Sequence, residues 1–134
     1  MGSKNRIFLG FISDIILHFI RNIFNNKDLY ITKTKYNKIK IDHPTEHRSL
    51  NNIDFQKFID GTIGYCMYKK YENIYNFVSV VDNEYYIYSI SINNHYLEIG
   101  TFFRASSKRL RKCKKEDIEF FNENYKISFE KYIN

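Results

Sequence analysis

Alanine occurs once in this sequence, at Ala105, cysteine occurs twice, and no stretch reaches the roughly 20 uninterrupted apolar residues that a membrane span needs. The segment from Ile7 to Phe24 comes nearest, but Ser13, Asp14, His18 and Arg21 break it, so no spanning helix is expected. Cys66 and Cys113 stand outside any CxxC motif and are too few for a metal cluster; they are read as ordinary thiols, and the redox compartment stays open. Repeats, linkers and low-complexity tracts are missing, which argues against a solenoid or a disordered tail. An acidic cluster suited to Mg²⁺ is missing too, which counts against a two-metal nuclease. The opening Met1-Gly2-Ser3-Lys4 begins like a myristoylation signal, but Arg6 stands where Ser or Thr is required, and a remnant of cloning accounts for it at least as well.

What the chain does have is aromatic and apolar mass. Its 134 residues suit one core, expected as a single domain spanning 1–134, and 12 Tyr with 12 Phe in a 43% apolar chain exclude a disordered polymer. Asn, Ile, Lys and Tyr are abundant while Ala is scarce, the signature of an AT-rich coding sequence. The formal charge of +6 therefore says less than its distribution. Residues 1–50 carry 9 basic and 4 acidic groups, residues 51–103 carry 3 and 6, and residues 104–134 carry 9 and 5.

Placed on a helical period, residues 7–24 gather Phe8, Phe11, Ile12, Ile15, Phe19 and Ile23 on one face and predict an amphipathic helix. Asp14 on the polar face favours a helix that covers a sheet over a membrane-surface segment. Alternation from Leu29 to Ile41, broken at Tyr36-Asn37-Lys38, predicts two short strands around a turn. A helix capped by Ser49 or Asn51 should then cover Ile53, Phe55, Phe58 and Ile59 and end at Gly61. Four β-branched and aromatic runs follow, Ile63 to Lys70, Ile74 to Val81, Tyr85 to Ile92 and Tyr96 to Arg104. The short links between them predict an antiparallel meander. Helical character resumes after a cap at Ser106 or Ser107, and residues 113–134 read as a C-terminal helical segment. The expected fold class is α+β: N-terminal helices packed on a four-stranded antiparallel sheet that is open on its other face, where exposed Tyr and Phe rings can stack on bases.

Two constellations can carry chemistry. Asp42-His43-Pro44-Thr45-Glu46-His47-Arg48 supplies two imidazoles and a guanidinium within a few positions, and His is the side chain best suited to moving protons near neutral pH. It makes a poor zinc site, because His95 is isolated; its plain reading is a polar loop before a helix. The second lies at the end of the meander. Arg104, Lys108, Arg109, Arg111, Lys112, Lys114 and Lys115 place seven cations and no acid in twelve positions. A solvated charged face explains many such runs, but a phosphate backbone is the commonest partner for so dense a strip. Together the two places supply what metal-free RNA cleavage requires. His43 or His47 can serve as acid or base, Arg48 and Arg104 can stabilise the anion, and Thr101 or Ser106 can donate to a phosphate oxygen. Thr101 and Arg104 sit on opposite sides of an ideal strand, so they meet only if Gly100 bends it.

The order of these parts, "DHPTEHRSLNNIDFQKFIDG" followed by "YNFVSVVDNEYYIYSISINNHYLEIGTFFRASSKRLRK", resembles the compact RNases of the barnase, EndoU, colicin E5/D and RelE group over residues 41–112. Many members are toxin domains of contact-dependent inhibition or phage-associated systems. The resemblance implies a metal-independent endoribonuclease toxin that needs no cofactor, acts on RNA such as tRNA in the cytoplasm after secretion or delivery, and is covered by an acidic immunity protein. It puts catalysis on His43, His47, Arg48, Thr101, Arg104 and Ser106, while the cationic strip itself puts nucleic-acid binding on Lys108, Arg109, Arg111, Lys112, Lys114 and Lys115. The paired-histidine and lysine pattern of the EndoU members is absent here. The competing reading is a non-catalytic module that binds nucleic acid or a viral or host protein.

Overall fold

The computed structural model describes residues 5–20, 26–43, 46–49, 54–71, 73–93, 95–115 and 117–134; the side chains of 40–43, 46–49, 68–71 and 115 lie outside that description. Along the chain run β1 (Arg6–Phe11), α1 (Asp14–Ile20), β2 (Asp28–Thr32), α2 (Lys33–Lys38), β3 (Lys40–His43), β4 (Glu46–Ser49) and α3 (Gln56–Asp60). There follow β5 (Thr62–Tyr71), β6 (Ile74–Val81), β7 (Glu84–Asn93), β8 (Tyr96–Arg104), α4 (Ser107–Lys115), β9 (Ile118–Phe120) and α5 (Glu123–Ile133). Seven strands form one mixed sheet in the order β1-β2-β8-β7-β6-β5-β9, and β3 pairs with β4 in a separate ribbon. Every pair in the large sheet is antiparallel except β2 with β8.

The meander forms for the reason its sequence gives. Asp82 and Asn83 take φ of 52° and 65°, so the link from Val81 to Glu84 is a two-residue turn whose twist matches that of the strands it joins. Asn73, at φ 65°, sits in the turn between Tyr71 and Ile74. The expected fold class is nevertheless wrong. The sheet has seven strands and is mixed, not four strands and antiparallel, and strands β1 and β2 alternate with the short helices that precede the meander.

The expected helix over 7–24 fails first. Its apolar residues satisfy a helical period, but Gly10 adopts φ 155°, and residues 6–11 pair antiparallel with β2 around a register shift between Phe8 and Gly10. The helix starts only at Asp14, where Ser13 Oγ accepts from the Ile16 amide at 3.3 Å; residues 21–24 lie outside the described residues. A Cβ on Gly10 would collide with the Gln56 side-chain oxygen. That Gln56 carboxamide accepts from the Phe11 amide at 2.8 Å and donates to the Phe11 carbonyl at 2.9 Å, which clamps α3 onto β1. Of the two strands expected between Leu29 and Ile41, the first is present as β2 and the second as β3, while the turn expected at Tyr36-Asn37-Lys38 falls in α2, which Thr32 caps by accepting from the Lys35 amide. The helix expected before Gly61 is present as α3 and ends there, while Asn51 and Ile53 lie outside the described residues.

Both faces of the large sheet are covered. On one, Ile12, Ile16 and Ile20 around α1 and Phe55, Phe58 and Ile59 around α3 meet Phe77, Tyr86, Tyr88, Ile90, Ile99 and Phe102. On the other, Leu110 and Cys113 of α4 and Phe129 and Ile133 of α5 meet Ile63, Cys66, Val78, Tyr85 and Ile87. Each buried side chain of this size contributes about 1.5–3 kcal/mol against exposure. The expectation of an open face of stacking rings is thereby corrected, since α4 and α5 close over Tyr85 and Ile87.

The first strand is tied to the meander by charge. Glu98 is buried; one carboxylate oxygen pairs with Arg6 Nε, the other accepts from Asn93 Nδ2 at 2.9 Å, and the Arg6 guanidinium lies 4.1 Å from the centre of the Tyr96 ring. Removing one member of a buried ion pair strands the other in a medium that solvates it poorly. Glu98→Ala is therefore expected to lower unfolding free energy by about 3–5 kcal/mol, read by equilibrium urea denaturation; a loss below about 1 kcal/mol would show that the pair holds nothing together.

Candidate nucleic-acid interface

The basic strip folds as α4. Ser106 provides its N-terminal cap, its Oγ accepting from the Arg109 amide at 3.2 Å, as one of the two expected serines. Leu110 and Cys113, three positions apart, turn inward, so the remaining residues form an outer face of cations. Lys108, Arg109, Arg111, Lys112 and Lys114 are all exposed, and the side chain of Lys115 lies outside the described residues.

Part of this charge is also structural. The Arg111 guanidinium donates to the Ile133 carbonyl at 2.9 Å, satisfying one of the acceptors at the C-terminal end of α5 where a cation is also favoured. Lys114 meets Glu130 at 2.8 Å and holds that carboxyl below its ordinary range. The Arg109 guanidinium lies 5.1 Å from the centre of the Phe103 ring. These contacts fix the direction of the helix across α5 and leave its outer face cationic.

Gly100 does bend β8, but not to the expected effect. Tyr88 pairs with Phe102 and Ile90 with Ile99, so Gly100 and Thr101 together oppose the single residue Ser89, which makes a bulge. Gly100 is needed there because a Cβ would stand 2.6 Å from Ser89 Oγ. Ser89 Oγ accepts from the Thr101 amide at 2.8 Å and from its hydroxyl at 3.1 Å, which keeps Thr101 on the α4 and α5 side of the sheet. Arg104 pairs in register with Tyr86 on the opposite side, its guanidinium 3.9 Å from a Glu84 carboxylate oxygen. Thr101 and Arg104 are thus separated by the sheet, and Ser106 is occupied as a cap.

His43, His47 and Arg48 lie on the ribbon, with Asp42 opposite His47, His43 opposite Glu46 and Ile41 opposite Arg48. Its first strand lies against β8. The backbone therefore brings the histidine segment to the strand that carries Thr101 and Arg104, while the positions of the three side chains lie outside the described residues. Among the described residues, no three His, Cys, Asp or Glu side chains gather as metal ligands, and no helix is long and apolar enough to cross a membrane.

Sequence reasoning missed a cleft of about 630 Å³ between α5 and the sheet. Tyr85 forms its floor, and Tyr125, Ser128, Lys131 and Tyr132 of α5 and Asn83 of the hairpin turn line its sides. The signal was the spacing of Tyr125, Ser128 and Tyr132 along one flank of α5, which reads equally well as part of a helix that merely covers the sheet. The Tyr85 and Tyr132 ring centres are 4.4 Å apart. Burial, with Tyr132 adding to it, pushes the Tyr85 hydroxyl above its ordinary value, so it remains a neutral donor at physiological pH.

No protein-family model, curated protein or solved structure matches this chain.

Cys113 of α4 shares a thiol–thiol hydrogen bond with Cys66 of β5, and that bond together with burial pushes its pKa far above the ordinary thiol range. Neither thiol has the exposed, electropositive setting of a nucleophile despite the cations nearby. Titration of the native protein with a water-soluble disulfide reagent at pH 8 is expected to leave both thiols unreacted on the timescale in which the urea-unfolded chain consumes two equivalents; rapid reaction of the native chain would contradict this packing.

Proposed function

We propose that this chain binds RNA, with the outer face of α4 tracking phosphates. One observation carries the reading: a capped helix whose inward residues are fixed in the core presents Lys108, Arg109 and Lys112 to solvent, with Arg111 and Lys114 exposed at its edge against α5. Cations held on a packed helix meet a phosphate row without the ordering cost of a flexible tail.

Affinity for a structured RNA is expected to fall linearly on a log–log plot against salt, with a slope near 0.7–0.9 per phosphate neutralised. Lys108→Ala and Lys112→Ala should each weaken binding across sequences and reduce that slope by about one. Affinity that does not respond to salt, or to either variant, would remove α4 from the interface.

Metal-independent cleavage, as in an RNase toxin acting on tRNA and restrained by an acidic immunity protein, is the sharper reading. The ribbon of His43, His47 and Arg48 lying against β8 favours it. The separation of Thr101 from Arg104 weighs against a site that uses both, so Arg104 or Thr101, not the two together, would act with the histidines. Total tRNA incubated with the chain in EDTA is expected to yield defined fragments that His43→Ala or His47→Ala abolishes. Intact RNA in every lane would leave a binding domain without catalysis.

A further inference from the structure

We infer that the cleft between α5 and the sheet receives an unstacked base of single-stranded RNA, with the adjoining phosphate held by Lys131 and Arg111. This rests on the RNA-binding reading and adds to it a site, away from the ribbon, that reads bases and not only phosphates.

Size and lining come first. A volume of about 630 Å³ lies within the range of small-ligand sites and admits a nucleotide. Two of its tyrosines are exposed, Tyr125 at 38% and Tyr132 at 40%, although both flank an apolar cleft whose floor, Tyr85, is buried. Rings held apart at a cleft mouth are stacking surfaces, and every base has a face to offer them. The Asn83 carboxamide provides a donor and an acceptor together, as the edge of a base requires, and Ser128 adds a hydroxyl.

Charge then selects the class of ligand. Among the described lining residues there is a lysine and no carboxylate. Glu84, next to Asn83 in the turn, is directed away, since it accepts from the Tyr86 hydroxyl and faces Arg104 on the other side of the sheet. The cationic helix also comes near the cleft, at the C-terminal end of α5. The Ala105 amide donates to the Tyr85 carbonyl at 2.8 Å immediately before α4 begins, and Arg111 reaches the Ile133 carbonyl, next to Tyr132. Lys108 lies one helical turn before Arg111. A strand following α4 therefore reaches the cleft at the end of α5, where a base can turn in while its phosphates stay on the cations.

The test compares two probes of equal length and charge, a labelled six-nucleotide oligouridylate and its abasic counterpart, by fluorescence anisotropy with the full chain over a salt series. The intact oligonucleotide is expected to bind roughly tenfold or more tightly than the abasic one. Tyr132→Ala and Tyr125→Ala should each erase most of that ratio without changing the salt slope, and Tyr132→Phe should retain it. Lys131→Ala should lower the slope for both probes. Circular dichroism confirms that each variant is folded, which the exposure of the three side chains favours. Equal binding of the two probes by the parent, or a ratio unchanged in both tyrosine-to-alanine variants, overturns the base site while leaving phosphate binding along α4 intact. Binding of neither probe beside salt-dependent binding of a structured RNA overturns the base site alone, and failure of that RNA as well overturns both readings.

Discussion

The architecture depends on the burial of β7. It is the middle strand of seven, and Tyr85 through Ile90 are all buried, so alternate residues need an apolar partner on both sides of the sheet. One set, Tyr86, Tyr88 and Ile90, is met by α1 and α3; the other, Tyr85 and Ile87, by α4 and α5. The hydroxyls buried with them must also be satisfied. Tyr88 Oη and Thr62 Oγ1 lie 2.6 Å apart, and Thr62 and Ser79 both donate to the Phe58 carbonyl, where α3 approaches the sheet. Polar groups in this core thus fix which helix lies over which strand.

That constraint also explains why the basic helix has two roles. α4 cannot leave the sheet without exposing Ile87, Val78 and Cys66, so its cations are carried on a rigid support. Its contacts with α5 use Arg111 and Lys114 at the inner edge and leave Lys108 and Lys112 further out. Charge and packing are separated around one helix by the positions of Leu110 and Cys113. The aromatic cleft is lined by α5, the helix that α4 packs against, so the same layer that carries the cations also carries the stacking surfaces.

The meander was legible because turn residues and strand residues agree: Asp82-Asn83 stands between two β-branched runs, and both local preferences point to one hairpin. The first strand was not, because local and long-range preferences differ there. Ile7, Phe8, Leu9 and Phe11 fit a helix or a strand alike, and β2, along with the register across Gly10, decides between them. Gly10 inside the supposed helix and Ser13-Asp14 after it were the local clues. Tyr85 and Ile87 alternate along β7 with Tyr86 and Tyr88 and share their face with the polar Ser89 and Ser91, which disguises its burial. The candidate site was legible only in part. Ser106 announced a cap and the cations announced a helix face, whereas the side of the sheet on which Thr101 and Arg104 emerge depends on a bulge that counts residues on two strands at once.

An open sheet of seven strands has two unpaired borders, where backbone donors and acceptors can recruit another chain. At one border β9 is three residues long, too short to template much pairing. At the other, Gln56 makes both contacts that a neighbouring strand would make to Phe11, its amide nitrogen donating to the carbonyl and its oxygen accepting from the amide. With Phe8 and Phe11 exposed along that border, the side chain of Gln56 acts as a terminator of the sheet and guards a sticky edge against growth into aggregates.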